Sequence, residues 1–264
     1  MVTIKNYVRV NSLEEAYQLN QKRSNVVLGG MLWLKMGKRN IQNAIDLSGL
    51  QLDQIEETEE QFNIGAMCSL RQLETSRPLN DYYGGIIGES LRHIVGVQFR
   101  NCATIGGSIF GRFGFSDILT CLLVLDTSVQ LYKGGEILLS EFISIPRDND
   151  ILVRIIIRKT RRPAVYQSFR MTRTDFPILA CSASLDADKL RVAMGARPMK
   201  AELIETDRSD LDFKTEQEQR EFAAYLAKKV RYGSNMRGSA GYREHLAAVS
   251  VWRALKVLGG EVSW

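Results

Sequence analysis

Two short segments carry paired glycines where the backbone could hold an anion. The first spans residues 28–34 and follows a predicted strand, and the second spans residues 101–109. Because glycine has no Cβ, paired glycines let backbone amides approach a phosphate closely. The hydroxyls of Thr104 and Ser108 could add donors. Together the two segments could therefore hold a diphosphate from both sides.

Neither segment identifies its ligand. A glycine pair after a strand is more often a tight turn than a phosphate site. Neither segment has the G-x-G-x-x-G or P-loop spacing, so a Rossmann fold or an NTPase is not supported. The residues alone indicate an anion site between two small α/β units.

Cysteines and histidines do not form a recognisable metal or catalytic pattern. Without a C-x-x-C pair, no zinc or iron–sulfur spacing is present, and we expect the cysteines to be small buried side chains. The cysteines are Cys68, Cys102, Cys121 and Cys181. The two histidines, His93 and His245, are too isolated for a metal site or a triad.

The elements that position the two segments are predicted from capping and apolar patterns. A capping box at Ser12–Glu15 starts a short amphipathic helix, and a second one begins at Ser69. Short strands are expected at 25–28, 44–47 and 62–66. The opening third is therefore predicted to be a small α/β scaffold.

The middle of the chain predicts two helices, one hairpin and one further strand. A helix is expected over Tyr82 to Ile94, although its glycines disfavour it. Asp117 to Leu125 is predicted to be a buried helix, with the acid at its positive end. Strands at 129–132 and 137–139 read as a hairpin, and 151–157 is a β-branched strand.

The last hundred residues predict a separate α+β domain, because strands are followed by helices. The expected strands and helices are 166–171, 181–185, 191–194, 216–231 and 241–258. The basic stretch 158–163 before them is interpreted either as a docking patch for an acidic partner or as a solvated interdomain linker. The linker is favoured, since such runs are usually exposed.

Composition bounds the class of protein. With 264 residues, 45% apolar residues and 25% charged residues, the chain is typical of a soluble globular protein. No run approaches the ~20 apolar residues of a membrane span, and the N-terminus shows no secretory signal. The net charge of +5 is too small and dispersed to predict nucleic-acid binding. We expect a cytoplasmic protein.

Several motifs, in the same order along the chain, resemble one family. Residues 98–109, Gln-Phe-Arg-Asn-Cys-Ala-Thr-Ile-Gly-Gly-Ser-Ile, continuing to Ser116-Asp117, resemble the central signature of the FAD-binding subunit of xanthine dehydrogenase, carbon monoxide dehydrogenase and related molybdenum hydroxylases. The first glycine segment is similar to that family's N-terminal Gly-Gly loop. Further matching segments are Ile64–Ala66, Leu70–Glu74, Tyr166–Asp175, Leu190–Gly195 and Arg237–Arg243.

The resemblance implies an α+β fold in three parts. They are an N-terminal FAD-binding subdomain (1–58), a second FAD-binding subdomain (59–160) and a C-terminal domain of antiparallel sheet and helices (163–264). FAD would lie extended between the first two parts.

The resemblance also implies which residues hold FAD. The two glycine segments would hold the diphosphate, Asp117 would accept hydrogen bonds from flavin-side hydroxyls, and Leu152 and Arg170 would lie near the isoalloxazine ring. The complete expected set is Leu28, Gly29, Gly30, Met31, Leu32, Thr104, Gly106, Gly107, Ser108, Asp117, Leu152 and Arg170. No catalytic acid–base residue and no metal ligand are implied. From its position alone, Asp117 would be a plain helix-start acid.

Three departures from the family pattern bear on the cofactors. Met31 and Leu32 follow the first glycine pair in place of small polar or acidic residues, which leaves the phosphate contacts to backbone amides. Residues 110–115 are rich in phenylalanine and include Arg112, interpreted equally as a phosphate or partner contact or as a surface cation. The segment 139–150 is short where family members often carry aromatic residues, so NAD is less securely implied than FAD.

The resemblance implies an electron-transfer subunit. It would take electrons from a [2Fe–2S] partner, store them on FAD and pass them to NAD or another acceptor, while a molybdopterin subunit performs the hydroxylation. Two alternatives stay open: a stand-alone flavin oxidoreductase, and a non-catalytic assembly subunit with a degraded flavin site.

Overall fold

The computed structural model describes residues 1–259, and these residues form two compact units that interleave along the sequence. The first unit consists of Met1–Leu73, Val97–Gly111 and Thr127–Lys159. The second consists of Glu74–Gly96, Arg112–Asp126 and the chain from Thr160 onward. The three consecutive parts expected from the sequence stay a prediction.

Helices and strands are mixed along the chain, which confirms the α+β class. The strands of the described residues are β1 (Thr3–Arg9), β2 (Val26–Leu28), β3 (Asn40–Asp46), β4 (Ile55–Glu57), β5 (Gln61–Gly65), β6 (Thr127–Leu131), β7 (Gly135–Leu138), β8 (Leu152–Arg158), β9 (Ala164–Phe169), β10 (Leu179–Leu185), β11 (Lys189–Gly195) and β12 (Glu202–Asp207). Their α-helices are α1 (Leu13–Asn20), α2 (Leu70–Thr75), α3 (Arg77–Tyr82), α4 (Ile86–Leu91), α5 (Val97–Cys102), α6 (Ile105–Gly111), α7 (Asp117–Leu122), α8 (Leu139–Phe142), α9 (Glu216–Lys228) and α10 (Ala240–Leu258).

A parallel three-stranded sheet of order β1-β3-β2 opens the first unit. The hydroxyl of Ser12 caps α1 by accepting the amide of Glu15 at 3.1 Å, as its capping box predicted. The carboxylate of Glu15 accepts the amide of Asn11, one residue before the expected partner. Because β2 and β3 are parallel and pair Leu28 with Asp46, their carboxyl ends share one edge. The first glycine segment leaves the sheet at this edge, where α/β proteins usually bind ligands.

An antiparallel sheet of order β4-β5-β8-β6-β7 forms the rest of the first unit's framework. Its central strand β8 is almost entirely buried, which explains the β-branched apolar run seen in the sequence. Strands β6 and β7 form the predicted hairpin, and Gly135 in its turn has φ +72°.

The second unit contains the antiparallel sheet β12-β11-β10-β9, with α10 packed against it and against α9. Leu179, Val192 and Met194 of the sheet and Ala247 and Val251 of α10 belong to one buried core. The strands and helices expected in this region are confirmed. Three strands were missed, β1 and β4 of the first unit and β12 of the second, because none of them shows a clear apolar alternation.

The single helix predicted over Tyr82 to Ile94 is wrong. Helix α3 ends at Tyr82 and α4 begins at Ile86. Between them Gly84 and Gly85 have φ of +62° and +79°, a left-handed conformation that cannot continue an α-helix.

The basic stretch 158–163 crosses the junction where the first unit ends at Lys159 and the second resumes at Thr160, and Arg158 and Arg161 are exposed, in agreement with the expected linker. Its two less exposed cations form ion pairs. Lys159 pairs with Glu57 at 2.6 Å. Arg162, with only 5% of its side chain exposed, pairs with Asp126 at 3.1 Å and Asp186 at 2.7 Å. These cations serve the fold and are not free for a docking partner.

Three of the four cysteines, Cys68, Cys121 and Cys181, are buried as expected, whereas Cys102 at the end of α5 is exposed and corrects that expectation. Burial raises the pKa of each buried thiol to about 12. Within residues 1–259, no group of three or more His, Cys, Asp or Glu side chains is placed to hold a metal. No helix of that range is long and apolar enough to cross a bilayer.

Candidate functional site

The two glycine segments lie side by side in the first unit. A Cβ on Gly29 would lie 2.8 Å from the hydroxyl oxygen of Thr104, and one on Gly30 would lie 1.9 Å from the carbonyl oxygen of Cys102. Any side chain at Gly30 would therefore overlap the backbone of the second segment. The paired glycines are required by this close approach, which brings together the two segments that the sequence singled out.

The second segment runs from the end of helix α5 into helix α6, which corrects the expectation of a loop. Thr104 precedes the helix, and its hydroxyl oxygen accepts the amide of Gly107 at 3.1 Å. Its carbonyl accepts the amide and the hydroxyl of Ser108, at 3.1 and 3.0 Å. Gly106 is a glycine because a Cβ there would lie 2.5 Å from the carbonyl oxygen of Ala66. A threonine cap followed by glycines thus starts a helix here, against their low helix propensity.

The backbone donors of the two segments differ in availability. In α6 the amides of Ile105 and Gly106 donate to the carbonyls of Cys68 and Ala66, and those of Gly107 and Ser108 donate to Thr104. In the first segment, the amides of residues 29–32 donate to no backbone carbonyl of residues 1–259, apart from any hydrogen bonds within the β2–β3 ladder. The first segment therefore has the donors that an anion would need.

Met31 explains how an apolar residue is tolerated in the first segment. Its φ of +55° is uncommon for a residue with a side chain. Its side chain packs against the buried cluster of Leu28, Ile41 and Ala44. Because the side chain is turned into this cluster, the neighbouring amides keep their access to a ligand. Leu32 beside it is partly buried.

Asp117 lies in the second unit, as the first residue of α7, whose start is capped by Ser116. Its side chain is 5% exposed, and its Oδ1 accepts hydrogen bonds from both Arg170, at 2.5 Å, and the hydroxyl of Tyr166. Burial raises the pKa of Asp117, and the positive charge of Arg170 opposes that rise. Burial, together with the negative charge of Asp117, raises the pKa of Tyr166.

Strand β9 explains why these donors converge on one carboxylate. Tyr166 and Ser168 lie on the same face of β9, and Arg170 is the residue directly after the last residue of the strand. Arg170 also donates from Nε to the hydroxyl of Ser168 at 3.1 Å. Asp117 and Arg170 were expected to be site residues and are brought together, whereas Tyr166 was missed. Its spacing of four residues from Arg170 on the predicted strand was the available signal.

A second ion pair continues from Arg170 to the motif near the end of the chain. Arg170 donates to the carbonyl of Asp175, whose carboxylate pairs with Arg237 at 3.0 Å. The guanidinium of Arg237 also lies over the ring of Phe176, 5.1 Å from its centre. The resemblance had singled out residues 237–243 without a role, and this contact links them to Arg170.

Arg243 of the same motif is fully buried. It donates to the carbonyls of Ile178, Gly233 and Gly238 and to the side-chain oxygen of Asn235. Burial lowers its pKa, and Arg237 adds to this effect. Its four partners are neutral, so it acts as a structural centre of the surrounding loop.

The remaining expected residues are placed individually. Leu152, 6% exposed, starts β8 in the first unit and pairs with Leu131 of β6. Arg112 is 3% exposed, so the interpretation of it as a surface cation is wrong. The phenylalanine-rich segment after α6 contributes Phe113 and Phe115, whose rings stack with centres 5.2 Å apart.

The family is decided by a match to its model. The model described as the FAD-binding domain in molybdopterin dehydrogenase matches residues 2–163. This chain belongs to that family. FAD is accordingly its cofactor, and the chain is an oxidoreductase subunit of the molybdenum hydroxylase type. The resemblance found in the sequence is thereby confirmed.

Curated relatives are distant. The uncharacterized protein YgfM of Escherichia coli (strain K12) is 24% identical over 254 residues, which cover 94% of each chain. Aldehyde oxidase 2 of Cavia porcellus is 30% identical over 93 residues, which cover 32% of this chain and 7% of that protein.

Solved structures share the fold over nearly the full length. Quinoline 2-oxidoreductase from Pseudomonas putida 86 matches with a TM-score of 0.86 and 18% identity, over 98% of both chains. Carbon monoxide dehydrogenase from Hydrogenophaga pseudoflava matches with a TM-score of 0.83 and 19% identity, also over 98% of both chains. At these identities the likeness shows the fold alone.

Proposed function

We propose that this chain is the FAD-binding electron-transfer subunit of a multi-subunit molybdenum hydroxylase. It would take electrons from a [2Fe–2S] partner and pass them to NAD or another acceptor. The observation that carries the proposal is that the amides of residues 29–32 donate to no backbone group of residues 1–259 outside the β2–β3 ladder. Their segment lies against Thr104 at the carboxyl edge of a parallel sheet.

That observation fits the chemistry of FAD. A diphosphate needs hydrogen-bond donors, and consecutive backbone amides next to a helix start are a common way of supplying them. Glycines at 29 and 30 keep this approach open, since a Cβ on Gly29 would meet the hydroxyl of Thr104. When bound, FAD supplies reversible one- and two-electron redox chemistry that no amino-acid side chain supplies.

The proposed contacts follow from this arrangement. The amides of residues 29–32 hold one side of the diphosphate, and the hydroxyl of Thr104, which only accepts from Gly107, donates to the other side. Gly107 lies beside the diphosphate without a free amide, and Ser108 would donate only after its hydroxyl leaves the carbonyl of Thr104. Leu28 leads into this segment from the end of β2. Gly106 allows α6 to start against Ala66. Asp117 accepts from flavin-side hydroxyls, and Arg170 and Leu152 lie near the isoalloxazine ring. The protein's part is to bind and orient FAD and to set the charge around it.

Partners and location belong to the same proposal. The carbon monoxide dehydrogenase from Hydrogenophaga pseudoflava lacks the Mo-pyranopterin moiety of its molybdenum cofactor in the solved structure, and another structural relative is a copper- and molybdenum-containing carbon monoxide dehydrogenase. By analogy, we propose an iron–sulfur subunit and a molybdopterin subunit as partners of this chain, in the cytoplasm. The reaction of the whole complex is a hydroxylation on the molybdenum subunit.

One alternative, an assembly subunit with a degraded flavin site, was suggested by Met31 and Leu32. Met31 argues against it, because its side chain packs into the Leu28 cluster and does not fill the space before the amides. No observation favours a stand-alone flavin oxidoreductase.

The test is the visible spectrum of the purified chain, followed by release and chromatography of its chromophore. We expect FAD at about one per chain. A chain that stays colourless, both alone and after co-expression with candidate iron–sulfur and molybdenum subunits, would overturn the proposal in favour of the assembly subunit.

A further inference from the structure

Tyr166 makes a buried polar contact that FAD binding alone does not explain. It is 7% exposed, and its hydroxyl donates to Oδ1 of Asp117, the oxygen that Arg170 also contacts. A buried carboxylate already paired with an arginine does not need a second donor on the same oxygen to balance its charge. The second donor restricts the carboxylate's orientation instead.

The geometry concentrates both donors on one oxygen. The guanidinium of Arg170 lies 2.5 Å from Oδ1, and both Arg170 and Tyr166 donate their hydrogen bonds to this oxygen and not to Oδ2. Both donors come from one segment of the chain, because Tyr166 lies in β9 and Arg170 directly follows the last residue of that strand. Rotation of the Asp117 carboxylate would break both hydrogen bonds at once.

Arg170 is in turn fixed from two other directions. Its Nε donates to Ser168 at 3.1 Å, and it donates to the carbonyl of Asp175, which Arg237 holds through the Asp175 carboxylate. Arg170 is therefore a rigid partner, and Tyr166 supplies the remaining constraint on Asp117.

We propose that Tyr166 is a positioning residue for FAD, which fixes the Asp117 carboxylate so that its Oδ2 stays available to a flavin-side hydroxyl. This inference rests on the proposed function, because it takes Asp117 to be a ligand of FAD. Tyr166 itself acts only through Asp117.

The experiment measures the Kd of FAD for the full-length chain after its flavin has been removed. The variants are Tyr166→Phe, Asp117→Asn and their combination, with Tyr232→Phe as the matched control. Tyr232 also lies in the second unit, and its hydroxyl donates to the carbonyl of Ala227 at 3.0 Å. The control thus loses the same atom and one hydrogen bond, to a neutral carbonyl away from Asp117.

We expect Tyr166→Phe to weaken FAD binding about tenfold, the range of one hydrogen bond to a charged group. The double variant should bind FAD no more weakly than Asp117→Asn alone, because Tyr166 acts through Asp117. Tyr232→Phe should leave the Kd unchanged. A purely structural role for Tyr166 would instead give losses that multiply in the double variant.

The outcomes separate this inference from the proposed function. A wild-type chain that binds no FAD overturns the proposed function, and this inference with it. A wild-type chain that binds FAD, with an unchanged Kd in Tyr166→Phe or with multiplying losses, overturns this inference alone.

A second measurement needs no substitution at position 166 and applies if Tyr166→Phe does not fold. Chain produced with 3-fluorotyrosine has a more acidic phenol and hence a stronger donor to Asp117. It should bind FAD more tightly than unlabelled chain, and this gain should vanish in Asp117→Asn. A gain that persists in Asp117→Asn would contradict the role of Tyr166.

Discussion

A Cβ on Gly30 would lie 1.9 Å from the carbonyl oxygen of Cys102, so no side chain fits at this position. The neighbouring atoms are backbone, so they cannot move aside as a flexible side chain would. The distance between the two segments thus depends on a single missing Cβ at this position. Gly241 is the opposite case, since a Cβ there would meet nothing within 4 Å.

We predict that Gly30→Ala loses bound FAD and lowers the free energy of unfolding by about 1–3 kcal/mol, the usual cost of overpacking. The measurements are flavin content and urea unfolding. Gly241→Ala is the control, and because it lies in the first turn of α10 it should be neutral or slightly stabilising. Normal flavin content in Gly30→Ala would contradict the close approach described here.

Arg243 is a buried cation whose partners are carbonyls and one amide oxygen. We predict that Arg243→Met lowers the free energy of unfolding by about 3–5 kcal/mol, because these buried acceptors lose their donors. Arg253→Met, at an exposed position of the same helix, should change it by less than about 0.5 kcal/mol. Equal urea midpoints for the two variants would show that Arg243 is not a structural centre.

Individual residues were predictable from the sequence where the family motif covers them. Gly29, Gly30 and Thr104 were singled out and are in contact, and Asp117 and Arg170 form an ion pair. Tyr166 was not assigned a role, because its contact with Asp117 joins positions 49 residues apart that only the fold brings together.

Elements were predictable where a local signal sets their ends. Ser12 caps α1 and Ser69 exchanges hydrogen bonds with Gln72 at the start of α2, and both starts were recognised from the sequence. Helix α6 was read as a loop, because its glycines disfavour a helix and its support comes from distant contacts such as the carbonyl of Ala66.

The break between α3 and α4 can be tested with Gly84→Ala. The variant should be less stable if the two helices are separate and more stable if they form one continuous helix. Gly84 has φ +62° and no atom within 4 Å of its Cβ position, so Gly84→Ala should cost about 1 kcal/mol through backbone strain alone. In a continuous helix over 82–94 the same substitution would be stabilising. Thermal unfolding of the variant against wild type measures the sign.

Glu14 joins α1 to the hairpin of β6 and β7 by accepting from Tyr132 at 2.6 Å and Lys133 at 3.0 Å. The hydrogen bond from Tyr132 contributes most to lowering the pKa of Glu14, which falls to about 2 from an ordinary value of 4.5. The contact therefore contributes fully above pH 4.5 and is lost as the pH falls towards 2.

We predict that Glu14→Gln unfolds at lower urea than wild type at pH 6, and that this difference disappears as the pH falls from 4.5 towards 2. Urea midpoints across this pH range measure the effect. Glu59→Gln, an exposed carboxylate in a turn, is the control and should follow wild type throughout. A difference independent of pH would mean that the Glu14 charge is not involved.

At the scale of the whole molecule, ligand binding and unfolding are linked. FAD at a hundred times its Kd should add about 2.7 kcal/mol to the free energy of unfolding and raise Tm by roughly 5 °C or more. Riboflavin, which lacks the diphosphate, should raise Tm much less, because the amides of residues 29–32 have no anion to bind. Equal shifts with both ligands would place the diphosphate elsewhere.

Overall architecture was predictable in class and in the order of most elements, but not in how the chain is shared between its compact units. Local patterns predict where a strand begins, whereas contacts between distant segments decide which strands join one sheet. Strand β8, for example, pairs with β5 about ninety residues earlier in the chain.

The interleaving of the two units has a consequence for biosynthesis. The first unit needs β8, which ends at Arg158, to complete its antiparallel sheet. By the time the ribosome has released that strand, the second unit's segments Glu74–Gly96 and Arg112–Asp126 have already emerged without the sheet that completes their unit. Helix α7 is buried along its whole length in the finished protein. Its apolar side chains therefore stay exposed during synthesis until β10 and β11 have emerged. We therefore expect a chaperone to bind the nascent chain at this stage, because these apolar side chains are exposed.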